Sequence, residues 1–201
     1  MLNFGKILNK KIVIPIIIVV LILVGGGFFW WQWREIKGSP DDYVIKETPE
    51  GKIVENKKAG LTVKVPEGWI EEKIGVEEGS VIFYSPDAEG YRPDKIRPPL
   101  KKGCIIETAI AYKKTTFEEL KKEIEEAHKS LIIKSDEFKM IEINGRPALK
   151  NISNSIDIGP SVDIYLLAEN KFYGLGVSAG LEDIEKCSQE FDKFLETVSI
   201  Q

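Results

Sequence analysis

The chain has 201 residues, 28 of them basic and 32 acidic, for a formal net charge of −4 at pH 7. A single histidine and two cysteines exclude histidine-pair metal sites, multi-histidine catalysis and any thiolate metal framework. Residues 1–34 hold four of the basic residues and none of the acidic ones, which leaves the remainder at −8 and without the basic surface that general nucleic-acid binding needs.

The first element is the run Ile12 to Trp33, 22 residues without a charge. As a helix it is about 33 Å long at 1.5 Å per residue, enough for a hydrocarbon core of about 30 Å. Lys6, Lys10 and Lys11 precede it, and Arg34 and Lys37 beyond it are mixed with Glu35, Asp41 and Asp42. This asymmetry makes residues 1–11 a basic cytoplasmic N-terminus and 12–33 a single-pass anchor. Phe28, Phe29, Trp30, Trp31 and Trp33 then form an interfacial belt at the outer face. The rival reading is a cleaved signal peptide with Ile12 to Val24 as its apolar region, but the chain lacks an A-x-A-like cleavage site. Residues 34–51, polar and punctuated by Pro40 and Pro49, read as a tether, and residues 52–201 as one extracytoplasmic domain.

Within that domain Lys52 to Glu55 and Leu61 to Val65 read as short strands, and Pro66, Glu67 and Gly68 as a turn before Trp69, a core or rim anchor. Ser80 to Tyr84 is a further strand. From Ser85 to Gly103 the pattern breaks down into a stretch with four prolines, longer than the about 12 to 15 residues usual for a structureless loop. Its second half is basic, with Arg92, Lys95, Arg97, Lys101 and Lys102 against one acid, Asp94. With Tyr91 these residues form a candidate contact loop for an anionic partner, set against the plainer reading of a solvated insertion.

Cys104 to Tyr112 alternates as a strand. Thr115 with Glu118 reads as a capping box opening a helix whose apolar stripe is Phe117, Leu120, Ile124, Ala127 and Leu131, with His128 on its flank rather than in a metal site. Two hairpins follow, one around Asn144 and Gly145 and one around Glu169 and Asn170, with Pro147 expected at an edge or bulge. Asn151 opens a glycosylation-type tripeptide. The last helix carries Ile184, Cys187, Phe191, Phe194 and Val198 on one stripe, with acids in its first turn. Cys104 and Cys187 are a candidate disulfide, with two buried free thiols as the alternative.

The order and spacing of five segments resemble the PsbP-like family: Leu61 to Trp69 (LTVKVPEGW), Ser80 to Pro86, Thr116 to Leu120 (TFEEL), Ile143 to Ala148 (INGRPA) and Phe191 to Ile200 (FDKFLETVSI). The resemblance implies an α+β fold, an α/β/α sandwich with a central antiparallel sheet flanked by helices, here preceded by one N-terminal transmembrane helix. The family's namesake is an extrinsic lumenal subunit of photosystem II, and none of its contact or metal residues maps onto a matching position here. The chain looks more like the anchored PsbP-like proteins of non-photosynthetic bacteria and archaea. A fold hosts many functions, so photosynthetic activity does not carry over.

No catalytic, cofactor-binding or metal-binding residues are assigned, and no cofactor is expected. The function expected is a non-enzymatic module, anchored in the cell membrane and folded outside the cytoplasm, that binds or helps assemble an anionic envelope component or protein. The alternative is an envelope enzyme with a carboxylate-based site, for which Glu107, Asp157 and Asp163 are the available groups, although charged residues are ordinary on the strands of any antiparallel sheet.

Overall fold

Alternation decides which side of each strand is buried. In Cys104–Ala111 the side chains of Cys104, Ile106, Thr108 and Ile110 are at most 4% exposed, while Glu107, Ala109 and Ala111 are half-buried. The same rule organises most of the chain in the computed structural model, which describes residues 38–74, 79–90, 100–129, 133–155 and 159–201.

Two antiparallel sheets result. β1 (Tyr43–Thr48), β2 (Gly51–Asn56), β3 (Leu61–Lys64) and β11 (Ser199–Ile200) pair in that order as the smaller sheet. The larger sheet has seven strands: β4 (Ile70–Ile74), β5 (Ser80–Tyr84), β6 (Cys104–Ala111), β7 (Ile133–Ile143), β8 (Arg146–Ser155), β9 (Gly159–Ala168) and β10 (Lys171–Ala179). Their spatial order is β4-β5-β6-β10-β9-β8-β7. With the helices α1 (Phe117–His128) and α2 (Ile184–Glu196), this is a sheet-rich α+β fold.

The core lies between the sheets and α2. That helix packs on β10, β6 and β9, and its buried stripe is Cys187, Phe191, Phe194 and Leu195. The Phe194 ring stands 5.5 Å from Phe83 of β5 and 6.2 Å from Phe191. Tyr43, Val54, Leu61 and Val63 of the smaller sheet join the same cluster. Each large apolar side chain removed from water here contributes about 1.5–3 kcal/mol relative to exposure. α1 has one fully buried residue, Leu120, and its Lys121 ammonium lies 5.2 Å from the centre of the Phe138 ring of β7.

Several expectations are corrected. Residues 43–48 are not tether but the strand β1. Pro40 opens a single 3₁₀ turn capped by Ser39, Pro49 sits in the turn between β1 and β2, and Tyr43 is 1% exposed, so the prolines punctuate folded structure. The capping box of α1 is one residue later than expected. Glu119 N–H donates to Thr116 Oγ1 at 3.2 Å, and Thr116 N–H donates to Glu119 Oε2 at 3.0 Å, because the sequence offers two overlapping Thr-x-x-Glu patterns. Of the expected stripe only Leu120 is fully buried; Phe117 and Ile124 are half-buried and Ala127 is exposed. Asn151 is 0% exposed, which removes its tripeptide as a glycosylation site. Residues 1–11, the Ile12 to Trp33 run and Leu131 lie outside the described residues, and among the described residues no helix is long and apolar enough to cross a membrane.

The β7–β8 hairpin is the turn predicted. Asn144 and Gly145 have φ of 50° and 77°, the left-handed pair that a two-residue type I′ turn requires. Pro147 sits one residue before the described β8–β9 ladder begins at Ala148, where a missing N–H costs no sheet bond. Asn144 does more than turn the chain: its Nδ2 donates to Leu195 O at 3.2 Å and Val198 O at 2.9 Å, tying the hairpin to the end of α2. Asn144→Ala is expected to cost about 1–3 kcal/mol through the strained backbone and two abandoned carbonyls. Asn144→Gly should recover only the backbone part, and urea unfolding of the two variants separates these contributions.

Candidate functional site

Two groups of candidate residues lie at opposite ends of β6. At its start, Cys104 is bonded to Cys187 with Cα atoms 5.4 Å apart, closing a sequence separation of 83. Both cysteines are fully buried, since one points inward from β6 and the other from the stripe of α2. Around them the base of the Ser85 to Gly103 stretch is knitted together. Ser85 Oγ accepts from Cys104 N–H at 2.9 Å and donates to Asp87 Oδ1 at 2.7 Å. Asp183 Oδ2 accepts from Gly103 N–H at 2.8 Å, and Lys186 pairs with Asp87 at 3.1 Å. The Ser85 hydroxyl, then Lys186, hold the Asp87 carboxyl below the usual carboxylate range. Gly103, at φ 81°, has no room for a side chain: a Cβ there would stand 2.6 Å from Ala88 Cα.

The expected structureless loop is therefore shorter than its sequence suggests. Glu89 and Lys102 form a β-bridge, and Leu100 is buried against Ile82 and Ile105. Lys101 and Lys102 are exposed beside this base. Tyr91, Arg92, Lys95 and Arg97 lie outside the described residues.

At the far end of β6 the structure assembles residues that share no sequence motif. Lys58, Tyr112, Arg146, Glu169 and Lys171 line a cleft of about 660 Å³ together with Ile200 and Gln201. Each arrives from a different place: Lys58 from the β2–β3 turn, Tyr112 from the end of β6, Arg146 from the β7–β8 hairpin, and Lys171 from the start of β10. Lys171 Nζ and the Tyr173 hydroxyl both donate to Ala59 O, each at 2.6 Å, and so fasten the β2–β3 turn to the larger sheet. Arg146 Nη2 donates to Ile200 O at 3.0 Å. Lys58 stands 3.5 Å from Asp42 and 4.8 Å from the centre of the Tyr112 ring. The Tyr112 hydroxyl is buried without a hydrogen-bond partner, and burial, followed by the nearby Asp42 carboxylate, pushes its pKa up to about 12. Non-local placement hides this cleft from sequence reading; the only hint is that Lys58, Arg146 and Lys171 all flank turns.

A second cleft, of about 540 Å³, runs between the β1–β2 and β3–β4 turns and is lined by Trp69, Pro49, Pro66 and five charged side chains, Glu47, Glu50, Lys52, Lys64 and Glu67. Trp69 is thus a rim residue that also packs against the core. The carboxylates of the enzyme reading are partly brought together. Glu107, Gly176 and Asp163 fall in one row across β6, β10 and β9, and a Cβ on Gly176 would meet Asp163 Oδ1 at 2.4 Å. Neither acid lines the clefts above, and Asp157 lies outside the described residues. Among the described residues no group of three or more His, Cys, Asp or Glu side chains is placed to hold a metal.

Comparison with known proteins adds a likeness of fold. The solution structure of cyanobacterial PsbP (CyanoP) from Synechocystis sp. PCC 6803 matches at 12% identity with a TM-score of 0.48, over 79% of this chain and 92% of that one. The chain is similar to PsbP. No family model and no curated protein matches it.

Replacing both cysteines by alanine is expected to lower stability by about 4 kcal/mol in the chain-entropy picture, read as a fall in the urea midpoint that reduction of the wild type reproduces. Tyr112→Phe should leave the midpoint at neutral pH unchanged or raised, because it removes a buried hydroxyl that has no partner. The folded pKa of Tyr112 lies above its unfolded value of 10.0, so its neutral form favours folding below that pH and the contribution is lost as pH rises toward about 12. The variant should accordingly lose less stability than the wild type between pH 8 and pH 11.

Proposed function

We propose that this protein is a non-catalytic binding module held at the membrane by Ile12 to Trp33, with the domain outside the cytoplasm and residues 1–11 inside. The observation that carries the reading is the buried Cys104–Cys187 disulfide. Such bonds persist in oxidising, extracytoplasmic spaces and are rare where thioredoxin and glutathione act. The charge asymmetry around the apolar run favours the same placement independently. The finer architecture within this reading is an α/β/α sandwich, with α2 against one face of the seven-stranded sheet and α1 against the other; Lys121 over Phe138 supports the second contact.

The basic loop belongs to this reading as a partner-contact element for an anionic envelope component or protein. The ends of the Ser85 to Gly103 stretch are held by the Glu89–Lys102 bridge and by the hydrogen bonds of Ser85 and Gly103, and Tyr91, Arg92, Lys95, Arg97, Lys101 and Lys102 fall between or at those ends in sequence. Anchored stems reduce the ordering entropy that a contact must offset.

Alkaline phosphatase, which needs disulfides to fold, and a green fluorescent protein, which needs the cytoplasm, are fused in turn after Gln201 and expressed in a bacterial host. The expected result is phosphatase activity with a dark fluorescent fusion. A bright fluorescent fusion with an inactive phosphatase overturns the placement.

A further inference from the structure

We propose that the cleft bounded by Lys58, Tyr112, Arg146 and Lys171 is a binding site for a small oxyanion ligand, one bearing a phosphate or carboxylate group. This deepens the binding-module reading, on which it rests, by naming the chemistry of a ligand.

Three observations carry it. First, residues 35–201 are acidic as a whole, yet three cations from three separate turns line one concavity that holds a single acidic side chain, Glu169. A concavity in which one sign of charge is in excess raises the local concentration of the opposite ion. Second, Arg146 and Lys171 spend hydrogen bonds on the backbone carbonyls of Ile200 and Ala59, and among the described residues neither forms an ion pair. Those contacts orient the side chains without neutralising them, and a guanidinium with five donors and an ammonium with three keep donors to spare. Third, the Lys58 ammonium is held 4.8 Å from the centre of the Tyr112 ring, which fixes a cation at the wall of the cleft.

The dimensions agree with a small molecule. A cleft of about 660 Å³ falls within the roughly 300–1,000 Å³ usual for such sites. Arginine suits the role because its planar fork matches the two oxygens of a carboxylate or phosphate. Lys58, although paired with Asp42, stands over the Tyr112 ring and adds charge at the mouth.

The test uses the full chain in neutral detergent micelles, titrated calorimetrically with inorganic phosphate and separately with citrate at constant ionic strength. Saturable binding of either probe is expected, phosphate alone or citrate alone telling which oxyanion is preferred. Arg146→Gln should weaken it by about tenfold, the loss of roughly one charge-assisted hydrogen bond, and Lys58→Gln should weaken it less. Arg146→Lys should recover part of the loss, and Lys122→Gln, on the exposed side of α1, should bind as the wild type does. Lys171→Gln is a poor probe because that side chain also fastens the β2–β3 turn. The site is overturned if neither probe binds saturably, or if Arg146→Gln and Lys58→Gln bind like the wild type. Failure here leaves the fusion result untouched, and a cytoplasmic placement in the fusion assay would not alter the titration.

Discussion

The seat of α2 on β6 and β10 is the contact on which the rest of the domain depends. Its buried stripe supplies Cys187 to the disulfide and Phe191 and Phe194 to the centre of the core, where strands from both sheets meet. The residue that starts this helix shows what the arrangement asks of the chain. Asp183 is the N-cap, yet its side chain makes no capping hydrogen bond to its own helix; the carboxylate is occupied by Gly103 N–H instead. Local helix stability is given up to dock the helix against the start of β6, and the core behind it compensates.

One strand thereby separates two different surfaces. At the start of β6 the chain is covalently tied and densely hydrogen-bonded, and the basic loop leaves from that base. At its end, three turns converge without a covalent link, and a single carbonyl, that of Ala59, accepts from both Lys171 and Tyr173 to hold the smaller sheet in place.

Much of the fold was legible because strands such as Lys171–Ala179 alternate and its turns use demanding chemistry. Asn144 and Gly145 announce a hairpin since few other pairs accept two positive φ values, and Ser80 to Tyr84 is bounded by breaks on both sides. β1 was hidden because its prolines and acids resemble a linker, and only the burial of Tyr43 reveals that the segment is folded. The register of α1 was ambiguous by one residue, as two threonines and two glutamates offer the same box twice. Cys104 and Cys187 each showed an inward face, but their separation is a tertiary quantity that no spacing encodes. The cleft was illegible for the same reason: Lys58 and Lys171 meet through a carbonyl 112 residues away in sequence from the lysine that holds it.

The pairing of β3 with β11 has a consequence for how the chain is made. Ser199 lies opposite Thr62 and Ile200 opposite Leu61, so an early strand pairs with one that is synthesised long after it. Until then one edge of β3 stands open beside exposed Leu61 and Val63, a template for pairing with another copy. The hairpins of β7 to β10 close locally, but the smaller sheet is complete only once β11 has been made. A protein built this way is at greatest risk of aggregation while it is being synthesised.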